Sequence, residues 1–244
     1  MTDTAGSEPL EFRHDALVKI GLAVFVGLFA AMAMMFVAFS AGLFADGFWG
    51  TGIAFIGATA LTIQLARITL REFFFRLRWR VRLDTDAAQL DLPASRLLFG
   101  SEPALTGTLP YSDIEAVEWR EEAVRSFGLA AINRVYAIRL KSGGVVLLGE
   151  DRPVGKQGQY MTLAGTAARA LAKQASVKLQ ELPMAEGAGG FLTLFGISRP
   201  AWSQRGEAPT LSAADERAIR RSLLLTQLLP VIAFAALIGA HLLG

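Results

Sequence analysis

The string "GEDRPVGKQG", Gly149 to Gly158, follows an apolar run as a phosphate-binding loop follows a strand. A Walker loop has the pattern G-x-x-x-x-G-K-[ST], because its backbone N–H groups cradle the phosphates and its hydroxyl holds magnesium. Here five residues separate Gly149 from Gly155, and Gln157 stands where the hydroxyl should be. Spacing and chemistry both fail, and the stretch reads as a strand-to-helix loop. The two histidines, His14 and His241, have no acidic residue at metal-ligand spacing, and no G-x-S-x-G elbow is present. Cysteine is absent, which excludes disulfides, thiolate nucleophiles and Cys-ligated metals. Acids occur side by side at Glu121–Glu122 and Glu150–Asp151. Adjacent strand residues point to opposite faces, so these are expected to be solvated strand ends and not catalytic pairs. The sequence predicts no catalytic residue and no cofactor.

Arginine supplies the other chemistry. In "FFFRLRWRVRL", residues 73–83, Arg76, Arg78, Arg80 and Arg82 alternate with Leu77, Trp79, Val81 and Leu83. That period of two predicts a half-buried strand with one basic face. Arg67 and Arg71 stand just upstream, and only Glu72 offsets the run locally. Two readings of the row stand side by side. One is topology anchoring with contact to anionic headgroups, each basic residue near the surface being worth about 1 kcal/mol. The other is a solvated strand face that discourages edge pairing. Trp79 and Trp119 sit in alternating segments, where an inward aromatic is core more often than a base-stacking platform. With Lys and Arg at 24 against Asp and Glu at 22, the chain lacks the positive field of a nucleic-acid binder.

The elements that carry these residues follow from hydropathy. Apolar residues make up 52% of the 244-residue chain, and the mean hydropathy of +0.40 places it with membrane proteins. Gly21 to Phe44 and Phe48 to Ala66 carry no charge across each apolar stretch. About 20 such residues cross a bilayer, so the pair predicts a transmembrane hairpin with the turn "ADG" between. Leu223 to Leu243 is a third uncharged run, behind Arg217, Arg220 and Arg221. A cleaved signal peptide is disfavoured, since the first run exceeds an h-region of roughly 7–15 residues and a second run follows at once. No span holds an ionisable side chain at its centre, which disfavours a transporter or pump.

Between the spans the period becomes that of a sheet. "SRLLFG" reads as a short strand, and "TGTLPYSDIEAVEWREEAV" as two strands broken at Pro110–Asp113. "RVYAIRL" and "GVVLLGE" flank "KSGG", a hairpin whose glycines supply positive φ. Met161, Ala164, Ala168, Leu171 and Ala175 then mark one amphipathic helix. Residues 183–211 read as a linker whose piece "GFLTLFGISRPAW" could lie on a membrane surface, and Ser212 with Asp215 as the start of a last helix.

The hairpin, its basic exit, "TGTLPYSDIEAVE", "RVYAIRLKSGGVVLL" and "TLAGTAARALAKQASVKL" together resemble the bacterial pleckstrin-homology-like (PH-like) membrane proteins, over roughly residues 20 to 182. The resemblance implies a bent barrel of about seven antiparallel strands capped by one helix, with no catalytic residue. The third span departs from the simplest hairpin-plus-domain form. The expected architecture is an α+β membrane protein: tail 1–20, transmembrane hairpin 21–66, cytoplasmic PH-like barrel 67–182, linker 183–211, and C-terminal helix 212–244 with its span at 223–243.

The expected function is a non-enzymatic interaction module at the inner membrane, binding a membrane-protein partner or a second copy of itself. Contacts are expected at Lys141 and Ser142 on the hairpin turn and at Arg152 and Lys156 on the following loop, because loops on rigid scaffolds carry binding. The alternatives are a sensor of membrane lipids that uses Arg67, Arg71, Arg76, Arg78, Arg80 and Arg82, and an enzyme acting through unpaired acids. No nucleic acid is expected as a partner. Basic residues stay on the cytoplasmic side. Reporters fused after Arg82 and after Lys178 should therefore read as cytoplasmic and one after Gly244 as external; an external reading for the middle of the chain would refute this topology.

Overall fold

The computed structural model describes residues 9–93, 104–126, 129–152, 162–186 and 212–221. The chain divides into two compact units, one built mainly of sheets (1–12, 81–90, 106–244) and one mainly of helices (13–80, 91–105).

The helical unit is a hairpin of α1 (Ala16–Ala45) and α2 (Trp49–Arg78), each long and apolar enough to cross a membrane. The turn uses Gly47 at φ +81°, a conformation that glycine adopts without Cβ strain. Small and hydroxyl residues line the seam: Ala33 and Ser40 on α1, and Gly52, Thr59 and Thr62 on α2, are buried. Such residues let helix backbones approach where no aqueous hydrophobic drive exists. Ser40 Oγ donates to the Gly52 carbonyl at 2.9 Å, and Phe55 packs against Phe36 and Phe39. The outer faces carry Val24, Val37, Ile53 and Ile56, all exposed.

α2 does not stop where its uncharged stretch stops. It runs on from Arg67 to Arg78, about 18 Å further at 1.5 Å per residue. The expected strand over residues 73–83 is therefore mostly helix, and only β2 (Arg80–Leu83) is extended. Extending an existing helix needs no new nucleus, and the pair Glu72–Arg76 at i, i+4, 2.6 Å apart, supports the added turns. Trp79 ends the helix with ψ 121°.

The sheet unit contains two sheets. The first has the order β1 (Leu10–Arg13), β2, β3 (Ala87–Leu92), β4 (Leu105–Pro110). Residues 10–13, expected as part of a tail, thus form a strand beside β2. The second has the order β7 (Val145–Asp151), β6 (Leu129–Leu140), β5 (Ile114–Ser126), β8 (Leu179–Glu181), with β9 (Ala185–Glu186) also on β5. β5, β6 and β7 are antiparallel, but β8 and β9 add to β5 in parallel, so the expected all-antiparallel set of about seven strands is corrected. No barrel closes among the described residues.

The break at Pro110–Asp113 is a 3-10 turn (Tyr111–Asp113), and the β6–β7 turn closes through Leu140 N–H to the Gly144 carbonyl at 2.9 Å, with Gly143 at φ +88°. The amphipathic helix is α3 (Leu163–Gln174), whose Ala164, Ala167, Ala168 and Leu171 are buried and which packs on β5, β6 and β7. A further helix, α4 (213–221), is capped by Ser212, whose hydroxyl accepts the Asp215 N–H at 3.2 Å. Ile219 of α4 is buried in a core with Ala123, Ile132 and Met184. The segments "SRLLFG" and "GFLTLFGISRPAW" and the span 223–243 lie outside the described residues.

Trp79 is 2% exposed and its ring lies 5.4 Å from that of His14, whereas Arg78 is exposed. Trp79→Ser should cost about 3–5 kcal/mol, as deletion of a buried aromatic does, and Arg78→Gln no more than about 0.5 kcal/mol. Thermal unfolding of both variants in mild detergent checks this; equal tolerance would contradict the packing at Trp79.

Candidate functional site

The six arginines do not share one face. On α2, Arg67, Arg71, Phe74 and Arg78 fall at i, i+4, i+7 and i+11, which is one stripe of a helix. Arg76 points to the other side, where it binds Glu72 with both side chains largely buried. Arg80 and Arg82 do share a strand face on β2, opposite the buried Val81 and Leu83. Arg82 Nε donates to Asp84 Oδ1 at 3.1 Å, and Asp84 also receives Gln89 at 2.7 Å through Oδ2. The Tyr111 hydroxyl donates to the Asp84 carbonyl at 2.8 Å, and burial followed by the charges of Asp84 and Asp86 raises its pKa. The Asp84 side-chain contacts brace the β2–β3 turn, and the Tyr111 hydroxyl ties the β4–β5 turn to it.

The acidic doublets depart from expectation. Glu121 and Glu122 do point to opposite faces, yet neither is a solvated strand end. Glu122 is buried and accepts Arg120 Nη2 at 2.7 Å. Glu121 accepts Arg220 Nη2 of α4 at 2.9 Å and lies 3.4 Å from Arg134 Nε. The Arg220 pKa is raised by its hydrogen bond to Glu216 and by the nearby Glu121. Glu150 accepts Arg152 Nε at 2.8 Å. Tertiary folding explains why the sequence misplaces Glu121: its partner Arg220 sits 99 positions away.

Asp151 is the most deeply placed of the four, at 2% exposure. Its Oδ1 accepts the Ala164 N–H at 3.0 Å and its Oδ2 the Gly165 N–H at 3.1 Å. Those N–H groups belong to the first turn of α3 and have no partner within the helix, so a carboxylate there satisfies them and meets the positive end of the helix dipole. The Tyr136 hydroxyl also bonds Asp151. Burial pushes the Asp151 carboxyl above its usual range, opposed by the two N–H groups, the Tyr136 hydroxyl and Arg169. Burial and the neighbouring carboxylate likewise raise the Tyr136 phenol. Both carboxylate oxygens are occupied, and the group serves as the anchor of α3. No sequence signal marks it, since the acid and its helix lie on either side of residues 153–161.

Trp119, expected as core, is half-buried: it stacks on Tyr136 at 6.5 Å and carries the Arg134 guanidinium 5.4 Å above its ring. Lys141 and Ser142 are exposed on the β6–β7 turn, with the Lys141 N–H bonded to the Asp113 carbonyl at 2.9 Å. Arg152 is exposed beside Glu150. Lys156 lies outside the described residues.

Comparison with protein-family models, curated proteins and solved structures finds no match. The functional reading rests on the chain's own geometry.

Gly165 leaves room for the anchor. A Cβ there would lie 2.7 Å from Asp151 Oδ2 and 2.8 Å from Tyr136 Cζ. A helical Gly→Ala change ordinarily gains about 1 kcal/mol. At this position overpacking costs about 1–3 kcal/mol and reverses the sign. Gly165→Ala should lower the unfolding midpoint in detergent, and Tyr136→Phe in that background should restore part of the loss by removing the hydroxyl. A midpoint raised by Gly165→Ala alone would show that the crowding is not felt.

Proposed function

We propose that this chain is a membrane-anchored, non-enzymatic interaction module of the PH-like kind, with its hairpin in the inner membrane and its sheet unit in the cytoplasm. One observation carries the reading. β1 leads into α1 and β2 follows α2, and these two strands are neighbours in one sheet. Both ends of the hairpin must then lie on the same side of a bilayer, which fits two crossings and a sheet unit retained on the basic side.

The exposed apolar faces of α1 and α2 support immersion in lipid, since soluble monomers rarely show apolar surface on this scale. Charge supports the orientation. Arg67 and Arg71 follow the uncharged part of α2 and Lys19 precedes that of α1, while the opposite turn carries only Asp46. A domain held this way meets membrane partners at high effective concentration, so weak loop contacts suffice. The β6–β7 turn at Lys141 to Gly144 and the loop from Arg152 through Lys156 are the proposed contact points for a membrane-protein partner or a second copy.

Residue-specific crosslinkers at Lys141 and Ser142 of the full chain in native membranes should trap one defined adduct, and mild-detergent purification should retain it. A monodisperse monomer without adducts would refute the interaction reading. Substrate turnover by the purified chain would refute its non-enzymatic part.

A further inference from the structure

We infer that β4 (Leu105–Pro110) is a dimerisation edge, pairing antiparallel with β4 of a second copy about a two-fold axis at Gly107. The inference rests on the interaction reading above and deepens it, choosing the second copy as partner and a sheet edge as the surface. Edge strands are ordinarily protected by charge, because their open row of N–H and C=O groups templates pairing with another chain. Among the described residues, β1 and β4 end the first sheet, and β7, β8 and β9 the second. β1 carries Glu11 and Arg13, β7 Glu150 and Asp151, β8 Glu181 and β9 Glu186. β4, Leu-Thr-Gly-Thr-Leu-Pro, carries no charge, and each of its residues but Leu109 is exposed. Both of its faces are thus exposed, and its edge lacks the usual safeguard.

The residue order selects the occupant. Leu105-Thr106-Gly107-Thr108-Leu109 reads the same in both directions. An isologous interface needs such a patch, since residue i of one copy meets residue j of the other and j meets i. With the axis at Gly107, Leu105 lies opposite Leu109 of the partner subunit, Thr106 opposite Thr108 of the partner subunit, and glycine opposite glycine. Every cross-strand pair is then matched in size and neutral. Axes at Thr106 or Thr108 each set a leucine against Gly107, and the second also draws Pro110, which has no N–H, into the ladder. A Cβ at Gly107 would meet nothing within 4 Å, so no described residue fills the space over the axis. A charged foreign strand finds no complementary group on β4, whereas a like copy meets no repulsion. Two such short strands bury less than the ~1,200 Å² of a complex stable in solution, so the pair draws on confinement of both copies to one membrane.

The chain contains no cysteine, so introduced cysteines report without background. With the full chain in native membranes, Gly107→Cys should give a disulfide-linked dimer on mild oxidation, because directly opposed residues lie about 4.5–5.5 Å apart. Leu105→Cys and Leu109→Cys should each fail alone, at about 14 Å from the same position in the second copy, but should link when differently tagged copies of the two are expressed together. Gly107→Lys should lower that mixed yield about fivefold by setting like charges face to face. Pairing Gly107→Lys copies with Gly107→Glu copies should restore it, which a misfolded variant would not do. Failure of both Gly107→Cys and the mixed leucine pair to link, linking of Leu105→Cys alone as readily as of the mixed pair, or an adduct of Gly107→Cys with a different protein would overturn the β4 dimer. Crosslinking at Lys141 and Ser142 separates the two readings: an adduct there with none at β4 refutes the β4 dimer alone, and no adduct at either place refutes both.

Discussion

β1 and β2 are hydrogen-bonded neighbours although the whole helical hairpin lies between them in sequence. That pairing is the constraint from which the other features follow. It brings the chain entering α1 and the chain leaving α2 into one sheet. Within the helical unit the His14 and Trp79 rings lie 5.4 Å apart. Trp79 is also the residue at which helix gives way to strand, so its burial ties the length of α2 to the start of β2. Within the helical unit, the seam between the two helices rests on close packing of Ala33, Ser40, Gly52, Thr59 and Thr62.

Buried charge does a related task in the second sheet. Glu118 receives Arg139 through two hydrogen bonds, one of them 2.9 Å, and Arg120 binds Glu122 on the same face of β5. Replacing such pairs by apolar residues is commonly neutral, whereas removing one partner leaves an uncompensated charge at a cost of about 3–5 kcal/mol. Their effect is on alternatives to the native state. A slip of one residue between β5 and β6 would carry Glu118 to the other face, away from Arg139, whereas Arg120 and Glu122 share one strand and would move together. The Glu118–Arg139 pair thus penalises wrong registers more than it favours the right one.

How much of this was legible in the sequence depended on how local the cause was. The β6–β7 hairpin, the break at Pro110–Asp113, α3 and the Ser212 cap all follow from turn chemistry, period or capping within a few residues, and the structure has each of them. Residues 73–79 did not follow their period. Phe75, Leu77 and Trp79 alternate with Arg76 and Arg78 as a strand would, but α2 was already formed upstream, and helix propagation won over pattern. Among the candidate site residues, the exposed turn of Lys141 and Ser142 was readable because glycine at positive φ fixes it. The basic row was right in composition and wrong in grouping, since a helix places Arg76 and Arg78 on different sides. Asp151 with Tyr136 and Gly165, and Glu121 with Arg220, were invisible because tertiary folding alone makes them neighbours.

The placement of β1 also sets an order of events during synthesis. Leu10–Arg13 leave the ribosome first, but their partner strand Arg80–Leu83 emerges only after both helices have been made. Non-local pairing of this kind cannot begin until the intervening chain has been positioned, and it keeps the early strand edge open meanwhile. The β1–β2 pair is therefore a late contact: it can form only once the 66 residues between the two strands have been made.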